Sequence, residues 1–442
     1  MRFEVDWLTP SDREDEPMDA FTRCRLGLAV EGQQFFRHED LLDKHAVQDA
    51  ITTSAYPLAL WFTANWWRLR WEPALNNNEL PAAHDWKMSH LMGAAGGGYE
   101  WPNLAFASDG ESLLLKLRPT RETSGSVRYI ERLDTWVSAD EFETGVDRFV
   151  EQTLEQLNRS TKQNTSLHEL WQTLRDERAN TWIAAQRQLE ARLGYDPEEA
   201  PEALLKLLTG LFEKHGETAI QELACVGAEA IEGTIKDVQE HLARTKDAIK
   251  LPILSTRAMA SALSNNKPGY PWEQGQTAAH ETRRYLGIDK GPLLNRRFSE
   301  ILEAPSQLLD HNESTHLPPI GIAEVRENGS NAKVSLGKKR KEARRFMSAR
   351  LIADGIYAGK AGSWLPCTNA STVRQKFQRA FAQEFLCPYK DLIEWMNTTS
   401  PDDETMEAAA DHFDVSPLLV NTVMVNHDHR PRSELEAYQQ AI

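Results

Sequence analysis

The sequence predicts an α+β chain in three parts: a β-rich, tryptophan-rich domain over residues 1–138, a helical connector domain over 139–251 and a C-terminal α+β domain over 252–442. Three observations lead to this division. Seven of the 13 tryptophans fall in the first 101 residues, which marks a core of its own there. Near Ser138 the apolar spacing changes from alternation to recurrence every three or four residues. Beyond residue 252, short alternating runs return between turn residues and are followed by further helices. A length of 442 residues, at roughly 100–200 residues per domain, accommodates such an arrangement.

Composition narrows the functional classes. Lys and Arg number 50 against 66 Asp and Glu, a net charge of −16. Broad coating of a nucleic acid is therefore disfavoured, because phosphate binding needs clustered cations, and only a local basic patch could do it. The longest apolar runs, 56–64 and 416–425, fall far short of the ~20 residues of a membrane span. The first residues, Met-Arg-Phe-Glu-Val-Asp-Trp, alternate like a strand and lack the basic and then apolar run of a secretion signal. We expect a cytoplasmic protein that does not contact membranes. Cys24, Cys225, Cys367 and Cys387 stand far apart without a CxxC pair, so reduced thiols are expected rather than a disulfide framework or a thiolate zinc site.

In chain order, the N-terminal run predicts a first strand. Trp67-Arg68-Leu69-Arg70-Trp71, with its apolar and basic alternation, predicts another. Residues 112–118 and 127–130 predict two more, joined as a hairpin by the loop 119–126. The period then lengthens. Phe142, Val146, Phe149, Val150, Leu154 and Leu157 predict an amphipathic helix, as do Leu167, Leu170, Trp171 and Leu174. Further helices are expected at 177–194, 202–215 and 217–249, with Pro197 and Pro201 between the first two. A loop is expected over 264–271, and then a helix that stops at Gly287. Strands at 320–325 and 332–336 flank a Glu327-Asn328-Gly329 turn of the kind hairpins favour. Helices follow at 338–357, 371–386, 403–411 and 417–425.

Three runs in this C-terminal region resemble the ImmA/IrrE family of zinc metallopeptidases: Arg344-Arg345-Phe346; Phe381-Ala382-Gln383-Glu384-Phe385-Leu386-Cys387-Pro388; and His412-Phe413-Asp414-Val415-Ser416. Their order and spacing fit the family over about 275–425. The resemblance implies a zincin-like domain with a helix, a small sheet, an active-site helix carrying HExxH and a following helix that supplies a glutamate. It also implies proteins linked to regulators in mobile elements.

HExxH chemistry needs two histidines one helical turn apart on a single zinc, with the glutamate between them polarising the bound water. Counted from Arg345-Phe346, those positions hold Arg350-Leu351-Ile352-Ala353-Asp354. Arginine has no lone pair for zinc, Leu351 cannot act as a base, and Asp354 alone is a single weak ligand. The third-ligand neighbourhood reads Arg374-Gln375-Lys376-Phe377-Gln378-Arg379, without a carboxylate. We therefore expect a degenerate site with no metal and no catalytic residue. Arg350 and Asp354, at i and i+4, are expected to pair in place of the metal. His280-Glu281 lacks a second histidine, and His427-Asp428-His429 is better explained as a solvated polar end.

Other signals are local. Lys338, Lys339, Arg340, Lys341, Arg344 and Arg345 with Glu342 make a segment of net charge +5 that could hold an anion or nucleic acid. Trp66, Arg68 and Arg70 interleave rings with guanidinium groups, as single-strand binders do. Gly93-Ala-Ala-Gly96-Gly97-Gly98 lacks the Lys-Ser/Thr of a phosphate loop and predicts a turn close to other backbone. Residues 411–425 resemble half of a helix-turn-helix without a basic face.

The expected function is non-catalytic: a cytoplasmic ImmA/IrrE-like protein, without a cofactor, that binds a protein partner or senses a ligand in a bacterial mobile-element, toxin–antitoxin or phage-defence setting. Two alternatives stand beside it, an active zinc metallopeptidase with ligands elsewhere and a nucleic-acid-associated regulator.

Overall fold

A computed structural model describes residues 1–8, 18–42, 46–74, 83–120, 125–160, 164–251, 270–288, 290–310, 312, 314, 316–326, 331–359 and 362–431. The protein is a mixed α+β chain whose sheets are antiparallel. It divides into two compact units, Met1–Leu205 and Lys206–Ile442.

The first unit contains β1 (Arg2–Trp7), α1 (Met18–Phe21), β2 (Arg23–Val30), β3 (Gln33–Gln34), β4 (His38–Asp40), β5 (Val47–Gln48), β6 (Ile51–Ser54), α2 (Ala55–Ala64), α3 (Trp66–Trp71), α4 (His84–His90), β7 (Asn103–Ser108), β8 (Ser112–Arg118), β9 (Val127–Tyr129) and β10 (Leu133–Ser138), then α5 (Ala139–Ser160), α6 (Ser166–Ala179) and α7 (Thr181–Leu193). Strand β2 is central in one sheet: its length pairs with β1, from Arg2 opposite Ala29 to Trp7 opposite Cys24, and its other edge takes β6 and β3. A second sheet runs β10-β8-β7 and a small third one runs β5-β4-β9.

The expected 112–118/127–130 hairpin is not formed. β8 is flanked by β7 and β10, which leaves no edge for β9, and β9 pairs with β4 instead. Part of the joining loop, 121–124, lies outside the described residues.

The strand expected at 67–71 is the helix α3. A period of two signals a strand only when one face meets water. Here Trp66, Trp67, Arg68, Leu69 and Arg70 are all buried, so alternation carried no information about period.

Helices α5 and α6 do not form a separate connector. Phe142, Val146, Phe149 and Leu157 of α5 and Leu167, Trp171 and Leu174 of α6 lie in the same apolar cluster as Phe3, Leu26, Phe62 and Phe106. At its centre Phe3 stacks on Phe149 with ring centroids 4.3 Å apart, and Phe62 meets Phe106 edge-on at 5.6 Å. The strands alone leave this core open, and the long amphipathic α5 closes it.

Helix α8 (Glu202–His215) spans the division between the units. The second unit continues with α9 (Glu217–Ala224), α10 (Ala228–Arg244), β11 (Ala248–Lys250), α11 (Pro271–Tyr285), α12 (Asn295–Ile301), β12 (Gly321–Val325), β13 (Asn331–Ser335), α13 (Lys341–Ala358), β14 (Trp364–Cys367), α14 (Val373–Leu386), α15 (Tyr389–Met396), α16 (Asp403–Phe413) and α17 (Pro417–Asn426). The single helix expected over 217–249 is broken at Gly227, whose φ is +91, and ends in a strand. The expected hairpin is β12–β13, with Ile322 opposite Ser335 and Val325 opposite Ala332. Its Glu327-Asn328-Gly329 turn, like residues 264–269 of the expected loop, lies outside the described residues. The full sheet order is β11-β13-β12-β14.

Helix α13 packs on β12, β14 and α14, and α11 lies along α14. At Gly275 of α11 an added Cβ would stand 2.6 Å from the carbonyl oxygen of Phe377. Backbone cannot yield there as a flexible side chain would. Gly275→Ala should therefore lower unfolding free energy in urea by about 1–3 kcal/mol. Gly233 of α10 is exposed with nothing within 4 Å of such a Cβ, so Gly233→Ala should raise it by roughly 0.5–1 kcal/mol.

Candidate functional site

Helix α13 is buried on almost every side, because the sheet covers one face and α14 another. Its polar residues must then find partners inside the protein. Arg350, Leu351 and Asp354 are buried at 4%, 0% and 0% exposure. The helix that follows, α14, is started by Thr372, whose hydroxyl accepts from Gln375 N at 3.2 Å and donates to Glu222 Oε1 at 2.6 Å. Arg374, Gln375 and Gln378 stand at i, i+1 and i+4, on the α14 face turned to α13.

The expected Arg350–Asp354 ion pair is replaced by a different one. Arg374 holds Asp354 through two bonds, Nε to Oδ1 at 2.6 Å and the terminal nitrogen to Oδ2 at 2.7 Å. Gln378 Nε2 donates to the same Oδ1 at 2.7 Å. Arg350 points its terminal nitrogen at neutral oxygens: Thr368 O at 2.7 Å, Gln378 Oε1 at 3.2 Å and Gln375 Oε1. The bidentate fork across two helices wins because carboxylate and guanidinium planes match there, whereas an i,i+4 pair is only a grazing contact.

Burial pushes the Asp354 carboxyl up, opposed by Arg374 and Gln378. It pushes the Arg350 guanidinium down. Arg379, also buried and repelled by Arg350, falls to about 9 and donates to Ala370 O at 3.0 Å. The result is a buried network of fixed bonds in which Arg350 Nε alone of the Arg350, Asp354, Arg374 and Gln378 side-chain atoms is buried without a partner. Positions 350, 354 and 374–378 meet, and the atoms gathered there are guanidinium and amide donors, amide and carbonyl oxygens and the Asp354 carboxylate. Among the described residues no group of three or more His, Cys, Asp or Glu is placed to hold a metal ion.

The basic segment is dispersed by folding. Arg344 donates to Leu308 O at 2.9 Å and Lys338 O at 3.0 Å. Arg345 donates to Leu293 O and Asn295 Oδ1 and lies 3.4 Å from Asp414. Lys341 Nζ binds Asp414 Oδ1 at 2.7 Å. Lys338 is half-buried, and Lys339 and Arg340 remain exposed. A continuous +5 surface is not formed, because helical period turns Arg344 and Arg345 inward.

Trp66, Arg68 and Arg70 are likewise interior. Arg68 meets Glu72 at 2.7 Å, Asp85 at 3.1 Å and Asp196 at 3.4 Å. Arg70 meets Glu143 at 2.7 Å and covers the Trp71 ring at 3.9 Å, while Arg178 covers Trp66 at 4.4 Å. These guanidinium groups are spent on internal carboxylates, so the expected ring-and-cation surface for nucleic acid is not presented to solvent.

The remaining singled-out residues have structural places. Gly96, Gly97 and Gly98 have φ of +60, +69 and +76, and a Cβ on Gly97 would stand 2.8 Å from Pro57 Cγ, a side chain rather than backbone. His280 pairs with Glu384 at 3.1 Å. His427 stacks on Tyr389 at 3.6 Å, and His429 Nε2 bonds the Tyr389 hydroxyl at 2.6 Å, so these two are not a free polar end. The four cysteines are buried and form no disulfide. Helix α17 buries Leu419, Val420, Val423 and Met424. Among the described residues no helix is long and apolar enough to cross a membrane. No protein-family model, curated protein or solved structure matches this chain.

Sequence reasoning missed the partners Arg374 and Gln378, although the spacing of Arg374, Gln375 and Gln378 on one helical face was a usable signal. It also missed His215, which stacks on Trp364 at 3.8 Å and bonds Ser363 Oγ at 2.9 Å.

Two predictions follow from these contacts. Asp354→Asn leaves the buried Arg374 uncompensated and should cost about 3–5 kcal/mol in urea unfolding, whereas Asp354→Leu with Arg374→Met together should recover most of that loss. Burial holds His215 at about 4, helped by the charge of Lys214, against an ordinary 6.5. Between those values the unfolded chain binds more protons, so this contribution is complete above about 6.5 and is lost as the pH falls toward 4. His215→Phe should flatten that part of the stability–pH curve by about 1–3 kcal/mol.

Proposed function

We propose that the second unit is a non-catalytic relative of the ImmA/IrrE metallopeptidases, in which the Arg374–Asp354 pair fastens the helices that a metal would otherwise join, and that the protein works as a cytoplasmic binding or sensing regulator with a protein partner. One observation carries this reading: positions 350, 354 and 374–378, chosen only by alignment to HExxH and its third ligand, come together between α13 and α14. A second observation supports it. Lys341 and Arg345, in and beside the first of the three resembling runs, bind Asp414 of the third.

The chemistry of these residues supports the non-catalytic reading. A metal-bound water needs neutral imidazole or carboxylate ligands and a base. Here the candidate ligand atoms are guanidinium nitrogens, amide oxygens and a carboxylate whose two oxygens are already used by Arg374 and Gln378. A fold of this kind without chemistry retains use as a recognition scaffold. The setting in mobile elements, toxin–antitoxin pairs or phage defence rests on the family resemblance.

The test is elemental analysis of the purified full chain together with affinity recovery from its native cells. We expect zinc well below one atom per chain, no chelator-sensitive proteolysis, and one protein recovered intact in near-stoichiometric amount. Stoichiometric zinc with cleavage of the recovered protein would overturn the proposal.

A further inference from the structure

Strand β1 is the edge of its sheet: it pairs with β2 on one side and with no described strand on the other. The hydrogen-bond parity of the sheet fixes which groups face that open side. The Leu8 amide donates to Arg23 O at 2.9 Å, directly across the register that sets Trp7 opposite Cys24. In an antiparallel ladder such bonded pairs alternate with unbonded ones. Arg2, Glu4 and Asp6 therefore turn their N–H and C=O groups toward β2, and Phe3, Val5 and Trp7 turn theirs outward. The other edge of β2 agrees. Ala55 N donates to Thr22 O at 2.9 Å and Phe35 N to Leu28 O at 2.8 Å, which assigns the even-numbered residues of β2 to β6 and β3 and leaves the odd-numbered ones for β1.

Among the described residues the outward N–H and C=O groups of Phe3, Val5 and Trp7 meet no backbone partner. A row of that kind is a template for another strand, and proteins commonly blunt it with proline, a bulge or charged side chains. Strand β1 contains no proline, and its six pairs with β2 run without a bulge. Its charges are of both signs, so they do not repel every incoming strand.

The order of those charges selects the occupant. Arg2, Glu4 and Asp6 share one face, and Phe3, Val5 and Trp7 share the other, where Phe3 stacks on Phe149 of α5. A strand that is basic at its start and acidic at its end is complemented by an antiparallel copy of itself. Two registers within residues 1–7 bring all three outward residues into bonded pairs. With Val5 opposite Val5 of the second copy, Glu4 faces Asp6 twice, and like charges directly opposite repel. With Glu4 on the two-fold axis, Phe3 faces Val5, Trp7 faces Met1 and Arg2 faces Asp6, each pair occurring twice. Glu4 then meets its counterpart, but Arg2 of the same strand already binds that carboxylate. The second register also seats apolar surface. Trp7, half-buried in one chain, stands on the face of Met1 and Phe3 of the other, beside a shallow groove that these two line with Gly145 and Arg148 of α5. Arg148 is exposed there and offers the indole a cation.

We propose that the open edge of β1 takes β1 of a second copy of this chain, antiparallel about a two-fold axis at Glu4, so that two four-stranded sheets become one of eight strands. A two-fold contact uses the same patch on both chains, so the assembly closes at two. Pairing one short strand buries little surface, which makes the dimer weak and dependent on concentration. The contact lies in the first unit and stands whether or not the reading of the second unit does.

The experiment is sedimentation velocity of the full chain between about 1 and 200 µM, with amide hydrogen exchange read residue by residue at both ends of that range. The chain should pass from one copy toward two with a dissociation constant of about 10–100 µM. Exchange at Phe3, Val5 and Trp7 should slow only at the high concentration, while Glu4 and Asp6, already bonded to β2, stay protected throughout. Arg2→Asp and Asp6→Arg alter exposed side chains, and each should weaken self-association by about 10-fold or more because it sets like charges opposite each other twice. Mixed in equal amounts, these two variants should associate again, since each chain supplies the charge that the other lacks. Val5→Pro removes one outward N–H without touching the ladder to β2 and should abolish association, with the circular dichroism spectrum checked for an intact fold. A chain that stays monomeric at the highest concentration overturns the proposal. So does protection of the outward amides in a monomer, which assigns the edge to another segment, and so does association that both charge substitutions leave unchanged or that their mixture fails to restore.

Discussion

A guanidinium group keeps its proton at any ordinary pH, so each arginine removed from water must be surrounded by oxygen atoms. In this protein that requirement organises both units. Arg374 and Asp354 join α13 to α14 in the second unit, and Arg345 ties α13 to Leu293 and to Asp414 beyond α16. In the first unit Arg68 gathers Glu72, Asp85 and Asp196, and Arg70 reaches Glu143 on α5. Apolar burial drives each core together, but it is non-directional. The guanidinium forks select which helix turns face each other.

The same requirement explains why the strongest basic signals in the sequence do not become surface sites. Clustered arginines beside tryptophans, or in a run ahead of a helix, suggest an anion surface when they are imagined in water. Folding puts most of them in the interior, where carboxylates and carbonyl oxygens already occupy their donors. Among the described residues a few buried atoms keep no hydrogen-bond partner, guanidinium nitrogens such as Arg345 Nε and Arg350 Nε as well as the carboxylate oxygen Glu190 Oε1.

The histidines show a comparable displacement. Their 13 side chains give many combinations on paper, yet the ones singled out as candidate ligands are engaged in ring stacking and single hydrogen bonds. His427 lies against Tyr389, and His280 holds Glu384, an acid within the second resembling run. His215, buried against Trp364, is kept neutral by desolvation. Each of these imidazoles is engaged by a neighbouring ring or polar group, His215 in the interior and His280 at the surface.

Several helices were legible in the sequence because amphipathic spacing survives wherever one face meets water, as in α5, α6 and α16, and the strands β12 and β13 also lie close to where their patterns placed them. The mixed α+β class followed from those patterns. Residues 67–71 failed because both faces are buried, and the β8–β9 pairing failed because strand neighbours depend on which edges other strands have already taken. The positions of a candidate site, 350, 354 and 374–378, could be named from motif order. Their pairing could not, since an ion pair between residues 20 apart exists only once α13 and α14 are packed. By itself the sequence determined which residues could carry charge and how each segment would coil. Tertiary structure alone decided which charges were neutralised and which were left open, because that depends on distances between segments that no local pattern encodes.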